Sequence, residues 1–227
     1  MDLNSKLTAL GKLYKIYDDF SVTLNIACKK HCCLCCTGNV TMTTLEGLKI
    51  VAGILEKGKD ELFARIKESV KGAGFRPRIT INEMAHLCME DRELPEEENM
   101  PEGECPLLAD NKECSVYEHR PFACRCFVST VNCAESGSAV VDDFVVTVNN
   151  IFMQVIEHAD AGRFSGNLSD VLQFLKSAEN REDLLSGKIR YPPPYLIKNH
   201  PLKILMIPPE HREKAEPILD ALKKLTY

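Results

Sequence analysis

The chain has 227 residues, 44% hydrophobic and 27% charged, with a formal net charge of −5 and eleven cysteines. No apolar run approaches the ~20 residues needed to cross a bilayer, and the negative balance lacks the electrostatic footprint of a nucleic-acid binder. Composition therefore argues against a membrane span and against non-specific binding of DNA or RNA. Residues 1–6, MDLNSK, have neither the basic nor the apolar region of a secretory signal, which predicts a reducing, cytoplasmic setting. There, an odd number of tightly spaced thiols points to metal ligation rather than disulfides.

In chain order, Leu3, Leu7, Leu10, Leu13, Tyr14, Tyr17 and Phe20 recur at helical spacing and predict an amphipathic helix over about 4–24. It leads into CKKHCCLCC, residues 28–36, with five thiols in nine positions. Cys28, Cys32 and Cys35 have the x3 and x2 spacing by which one loop points three sulfurs at a common centre. Cys36 makes a vicinal pair with Cys35; adjacent side chains diverge, so the pair suits a cluster or a second metal better than one ion. Thr43-Thr44-Leu45-Glu46 carries a capping-box signature and predicts a second helix ending at Gly58. Leu62, Phe63, Ile66 and Val70 predict a third over about 60–71, ended by Gly72 and Gly74. After a linker at Arg76-Pro77-Arg78, Thr80-Ile81-Asn82-Glu83 starts a short helix that carries His86 and Cys88.

Residues 90–104, EDRELPEEENMPEGE, read as a solvated acidic loop. In residues 105–127, two short apolar pieces around Asp110-Asn111 predict a hairpin or knuckle, followed by an irregular turn at Arg120-Pro121. Cys105, Cys114, Cys124 and Cys126 fall here and Cys133 follows, making a second half-site. Asp142 or Asp143 caps a helix over about 143–160, with a strand as the alternative because of its β-branched content; Gly162 stops it. Ser169 is expected to cap a further helix with Val171, Leu172 and Leu175. Residues 191–195, YPPPY, form an extended connector, and Pro208-Pro209 opens the last helix with Ile218, Leu219, Leu222 and Leu225 on its apolar face. The expected fold class is mainly α with a small irregular or β-hairpin region, a cysteine-rich metal-binding core flanked by helices. Its domains are either 1–141, the cysteine-cluster unit, plus a helical segment 142–227 packed on it, or one single domain.

Cys28-x3-Cys32-x2-Cys35-Cys36, Thr43-Thr44-x-Glu46, Cys105-Pro106-Leu107-Leu108 and Cys114-Ser115-Val116-Tyr117-Glu118-His119-Arg120-Pro121-x-x-Cys124-Arg125 together resemble the CxxCxxCC, or YkgJ-type, cysteine-cluster family. The resemblance covers residues about 25–135 and implies a zinc- or iron-chelating domain with eight characteristic cysteines. Carried over, the metal ligands are Cys28, Cys32, Cys35, Cys36, Cys105, Cys114 and Cys124, with Cys133 or Cys88 as the eighth; Cys33 and Cys126 stand outside the pattern. Metal-bound thiolates carry net negative charge, which makes Arg120 and Arg125 the candidate cofactor-binding residues, with Lys29 and Lys30 able to act likewise. The alternative for Arg120 is a structural salt bridge with Glu118 or the acidic loop. His31, His86 and His119 are candidate nitrogen ligands, but with sulfur in such supply they are read as surface or supporting histidines.

The expected cofactor is zinc or iron, an iron–sulfur cluster included, and the two cysteine groups are expected to converge on one site. The vicinal pair and the arginines favour iron. Two enzymatic alternatives stand beside simple metal binding. One is a radical S-adenosylmethionine-like protein, whose fingerprint spacing Cys28, Cys32 and Cys35 share, although Leu34 stands where that family has an aromatic residue and no succession of βα units follows. The other is a protein lysine methyltransferase-like activity, which some cysteine-cluster family members are linked to. A metal-stapled protein-interaction module is the third reading. The metal ion is the one partner the sequence names; a protein partner is not specified by it.

Overall fold

A computed structural model describes residues 2–29, 31–70, 74–96, 103–189 and 191–225. The expectations for Lys30, for the helix end at Lys71 and Gly72, and for residues 97–102 of the acidic loop lie outside the described residues. The chain is mainly α-helical with one small antiparallel sheet. Helix α1 (Leu3–Ser21) is capped by Asp2, whose side chain accepts from Ser5 N. Strand β1 (Thr41–Thr43) runs straight into α2 (Thr44–Glu56), where Thr43 and Glu46 form the predicted capping box. Gly58 then takes the left-handed φ of +60° that a residue without Cβ adopts at little cost. Helices α3 (Leu62–Val70) and α4 (Ile81–Met89) follow, the latter capped by Thr80.

Two short helices, α5 (Phe122–Arg125) and α6 (Cys133–Ser136), precede α7 (Asp143–Ala159). Helix rather than strand wins in α7 although it is rich in valine. Val148, Ile151, Phe152 and Val155 share one buried face at helical period, and Asp142 caps Phe144 N at 2.9 Å. Gly162 ends the segment with φ +83°. Strand β2 (Phe164–Asn167) leads into α8 (Leu168–Leu175), then α9 (Ala178–Leu185), β3 (Leu196–Lys198) and α10 (Arg212–Lys223). The cap of α8 is Asn167 and not Ser169: Asn167 Oδ1 accepts from Ser169 N at 2.9 Å, so Ser169 sits inside the first turn. Neither the three strands nor α9 was expected, because strands of three or four residues are too short to show alternation and α9 buries only Leu184.

The sheet has order β1-β2-β3, with Thr41 opposite Asn167 and Gly166 opposite Leu196. Two apolar cores flank α2. One gathers Ile50, Val51 and Ile54 with Phe63 and Ile66 of α3 and Val171, Leu172 and Leu175 of α8. The other gathers Leu45 with Leu10, Leu13 and Tyr17 of α1, Phe122 of α5 and Ile151 and Phe152 of α7. Fully burying each such side chain contributes about 1.5–3 kcal/mol before chain entropy is subtracted. Both cores draw residues from before and after position 142. Among the described residues no helix is long and apolar enough to cross a membrane.

Candidate metal centre

The cysteine-rich segment leaves α1 and is fixed at both ends by backbone bonds. Ala27 N donates to Ser129 O at 2.8 Å, and Cys36 O accepts from Cys105 N at 3.0 Å. Between them the chain turns tightly, with Cys32 N on Lys29 O and Cys36 N on Cys33 O, and His31 adopts a left-handed φ of +66°. Thr37 pairs with Glu104, and Gly38 N donates to Gly103 O at 2.9 Å, which lays the two half-sites side by side.

The predicted knuckle forms next. Leu108 bridges Cys114, Ala109 N donates to Glu113 O at 2.8 Å, and Lys112 turns the corner with φ +64°. His31 clips the first loop to this knuckle through Nδ1 and Asn111 O at 3.2 Å and an ion pair with Glu113 at 3.7 Å. The segment from Cys114 then passes through a single 3₁₀ turn, Tyr117–His119, into α5. Position α5 depends on a residue that the sequence placed only in a cap: Glu46 Oε1 accepts from Phe122 N at 2.7 Å and from Tyr14 O–H at 2.8 Å. Its other oxygen holds Thr43 N at 2.9 Å.

The thiols fall into one electrostatic neighbourhood. Charge on Cys32, Cys35 or Cys133 raises the pKa of Cys28, and charge on Cys35, Cys105 or Cys124 raises that of Cys36. Cys124 in turn feels Cys105, Cys114 and Cys35. All eight candidate ligands, Cys133 rather than Cys88 among them, are linked in this way. Cys88 is exposed on α4, Cys126 is buried in the α1–α7 core, and Cys33 is half-buried. The thiols do not stand as a finished coordination shell. Among the described residues, no three Cys, His, Asp or Glu side chains are grouped as metal ligands.

Burial pushes the Cys28, Cys114 and Cys124 thiols up and Cys105 up to about 11. Cys35 is the exception. A hydrogen bond from the Cys36 thiol, helped by the nearby Arg120 charge, lowers it to about 6, and the same bond drives Cys36 far above the usual thiol range.

Arg120 lies where the charge argument requires. It lowers the pKa of Cys35, Cys114 and Cys124, its guanidinium sits 4.1 Å over the Tyr117 ring, and its buried Nε has no hydrogen-bond partner. Among the described residues no carboxylate pairs with it. An orphaned, buried cationic N–H costs about 1–3 kcal/mol, and a thiolate or sulfide acceptor beside it removes that cost. The donor set and this orphan thus fit an anionic metal–thiolate centre. Arg125 differs from its expected role. Its Nε and Nη2 donate to the backbone oxygens of Arg120 and Glu118 at 3.1 and 3.0 Å, it pairs with Asp18 at 3.5 Å, and it stacks over Tyr14. Arg125 therefore braces the loop that presents Arg120, because its donors are taken by backbone and Asp18.

Lys29 is exposed. His86 bonds Lys203 at 2.9 Å and pairs with Glu90, while the His119 ring packs on Gly53, where a Cβ would come within 2.4 Å of it. Comparisons with protein-family models, with curated proteins and with solved structures found no match. The resemblance to the CxxCxxCC family therefore rests on the motif residues themselves.

Proposed function

We propose that the chain is a metal-binding protein of the CxxCxxCC type, in which Cys28, Cys32, Cys35, Cys36, Cys105, Cys114, Cys124 and Cys133 chelate zinc or iron, an iron–sulfur cluster included. The observation that carries this reading is the buried, unpartnered Nε of Arg120 beside Cys35, Cys114 and Cys124. Eight soft donors and a cationic hydrogen-bond donor suit all-thiolate ligation. Zinc would act as a staple between segments far apart in sequence, whereas an iron–sulfur centre would add one-electron transfer. In either case Arg120 offsets charge on sulfur, Arg125 and Glu46 hold the loops in place, and His31 clips one loop to the other. The radical S-adenosylmethionine-like alternative is disfavoured by three short antiparallel strands in place of parallel βα units.

The deciding experiment is anaerobic purification followed by metal analysis and a visible spectrum. Brown protein that bleaches with dithionite identifies iron–sulfur, and colourless protein with about two zinc ions per chain identifies zinc. Protein that takes up neither metal when thiols are fully reduced overturns the reading.

A further inference from the structure

The two groups of thiols are held in different ways. Cys105, Cys114 and Cys124 pack against the apolar core that α2, α3 and α8 share. Backbone bonds fix all three: Cys105 O accepts from Leu108 N at 3.0 Å, Cys114 O accepts from Tyr117 N at 3.3 Å, and Cys124 N donates to Pro121 O at 3.0 Å. Cys28, Cys32 and Cys35 are exposed, and Leu34 beside Cys35 is 57% exposed. Among the described residues, neither apolar core takes a side chain from 22–36. The clip from this outer loop to the knuckle is the His31 side chain, itself 53% exposed, at 3.2 Å from Asn111 O.

A structural zinc site is closed, with every ligand held by the fold, whereas a metal that is to be handed on needs a face where an incoming ligand displaces an outgoing one. Here one half of the ligand set is anchored on the core and the other half is offered to solvent. A segment with few buried contacts and exposed hydrogen bonds opens locally at low cost. Opening this loop leaves both cores in place, since neither draws on it.

We propose that the metal is cargo, exchanged with an external thiolate acceptor through Cys28, Cys32 and Cys35 while Cys105, Cys114 and Cys124 keep their places on the core. The inference rests on the metal-binding reading and adds to it the direction from which the metal enters and leaves. In the exchange step an acceptor thiolate forms a bond to the metal as the bond to one outer cysteine sulfur breaks. The released thiolate takes up the proton that the acceptor thiol gave up, and no electron is transferred. Repeating the step at the other outer cysteines passes the metal to the acceptor.

The test uses the full-length chain, reduced and handled without oxygen, carrying whichever metal it retains; metal content is measured first. The loaded chain is mixed with increasing excess of apo-metallothionein for zinc, or of an apo-ferredoxin for an iron–sulfur centre, and the metal in each separated protein is followed with time. The expected rate is proportional to acceptor concentration. A rate independent of acceptor, set by spontaneous dissociation, overturns the proposal and leaves metal binding standing; a chain that takes up no metal overturns both. Pulsed iodoacetamide labelling of the loaded chain, read by mass spectrometry, is the second measurement. Cys28, Cys32 and Cys35 should label at least about tenfold faster than Cys105, Cys114 and Cys124. Equal labelling of the two groups, or faster labelling of the inner one, overturns the proposal. Cys32→Ser should retain more metal than Cys124→Ser, and the reverse order in two variants that both melt as folded proteins counts against it equally.

Discussion

The carboxylate of Glu46, in the first turn of α2, accepts the backbone N–H of Phe122 at 2.7 Å and so fixes the start of the helix that carries Cys124. The same carboxylate holds the Tyr14 hydroxyl and Thr43 N. Glu46→Ala leaves four buried donors, the N–H groups of Phe122 and Thr43 and the hydroxyls of Tyr14 and Thr43, without this acceptor. It is expected to cost about 3 kcal/mol or more in urea denaturation of the metal-free protein, with Glu46→Gln intermediate. A loss below about 1 kcal/mol would show that these bonds do not hold the loop.

Cysteine substitutions separate ligands from bystanders. Cys36→Ser and Cys114→Ser are expected to lower metal content and Tm together, because metal-binding energy is folding energy in such a site. Cys33→Ser should move neither. Cys126→Ser places a hydroxyl in the α1–α7 core and should cost about 1–2 kcal/mol with metal content intact. Equal damage from Cys33→Ser and Cys36→Ser would reverse the ligand assignment in the first cluster.

Cys35, lowered to about 6, should be the first thiol to alkylate in metal-free protein. Its depressed value comes first from the Cys36 hydrogen bond and only then from Arg120. Cys36→Ala should therefore shift the pH midpoint of iodoacetamide labelling upwards more than Arg120→Met does. In the second variant metal affinity falls while the metal-free fold, which loses no hydrogen bond at Nε, keeps its stability to within about 1 kcal/mol. Labelling midpoints that do not move in either variant would contradict this account of Cys35.

Asp160 is fully buried, and burial raises its carboxyl from the ordinary 3.8 to about 6, against the opposing bonds from Thr44 and Leu45 N. Between those values the native state holds a proton that the unfolded chain has released. Its stabilising contribution is thus fully present below 3.8 and is lost as pH rises through about 6. Wild type should lose Tm relative to Asp160→Asn as pH goes from 4 to 7; a constant difference between the two curves would refute the shift.

Gly53→Ala brings a Cβ to within 2.4 Å of the His119 ring, which must move away from its place in the turn before Arg120. A cost of about 1–3 kcal/mol together with weaker metal retention is expected. Gly47→Ala, whose Cβ would meet Leu175 and Val171 at 2.7 Å, should cost similar stability and leave metal retention alone. Identical metal retention in the two variants would break the link between His119 and the site.

Much of the helical frame was legible because caps and periodicity are local. Thr43, Thr80 and Asp142 act at the positions where hydroxyl or carboxyl spacing placed them. The knuckle at residues 105–114 was legible for the same reason. What escaped was non-local. Strands β1, β2 and β3 exist through pairing across the chain, and the bond from Phe122 to Glu46 joins residues whose partnership no spacing reveals. Arg120 and Arg125 looked equivalent beside Cys124, and only packing sends one to the thiols and the other to Asp18 and backbone carbonyls.

The pairing of Thr41 with Asn167 sets an order of events during synthesis. Strand β1 directly follows the first cysteine loop, yet its partner strand emerges from the ribosome about 10 s later at ordinary elongation rates. The second cysteine group arrives between them. The first cysteine loop is thus made before the second cysteine group and strand β2 exist to hold it, and under the proposed metal reading the full set of thiols cannot assemble until Cys133 has been made.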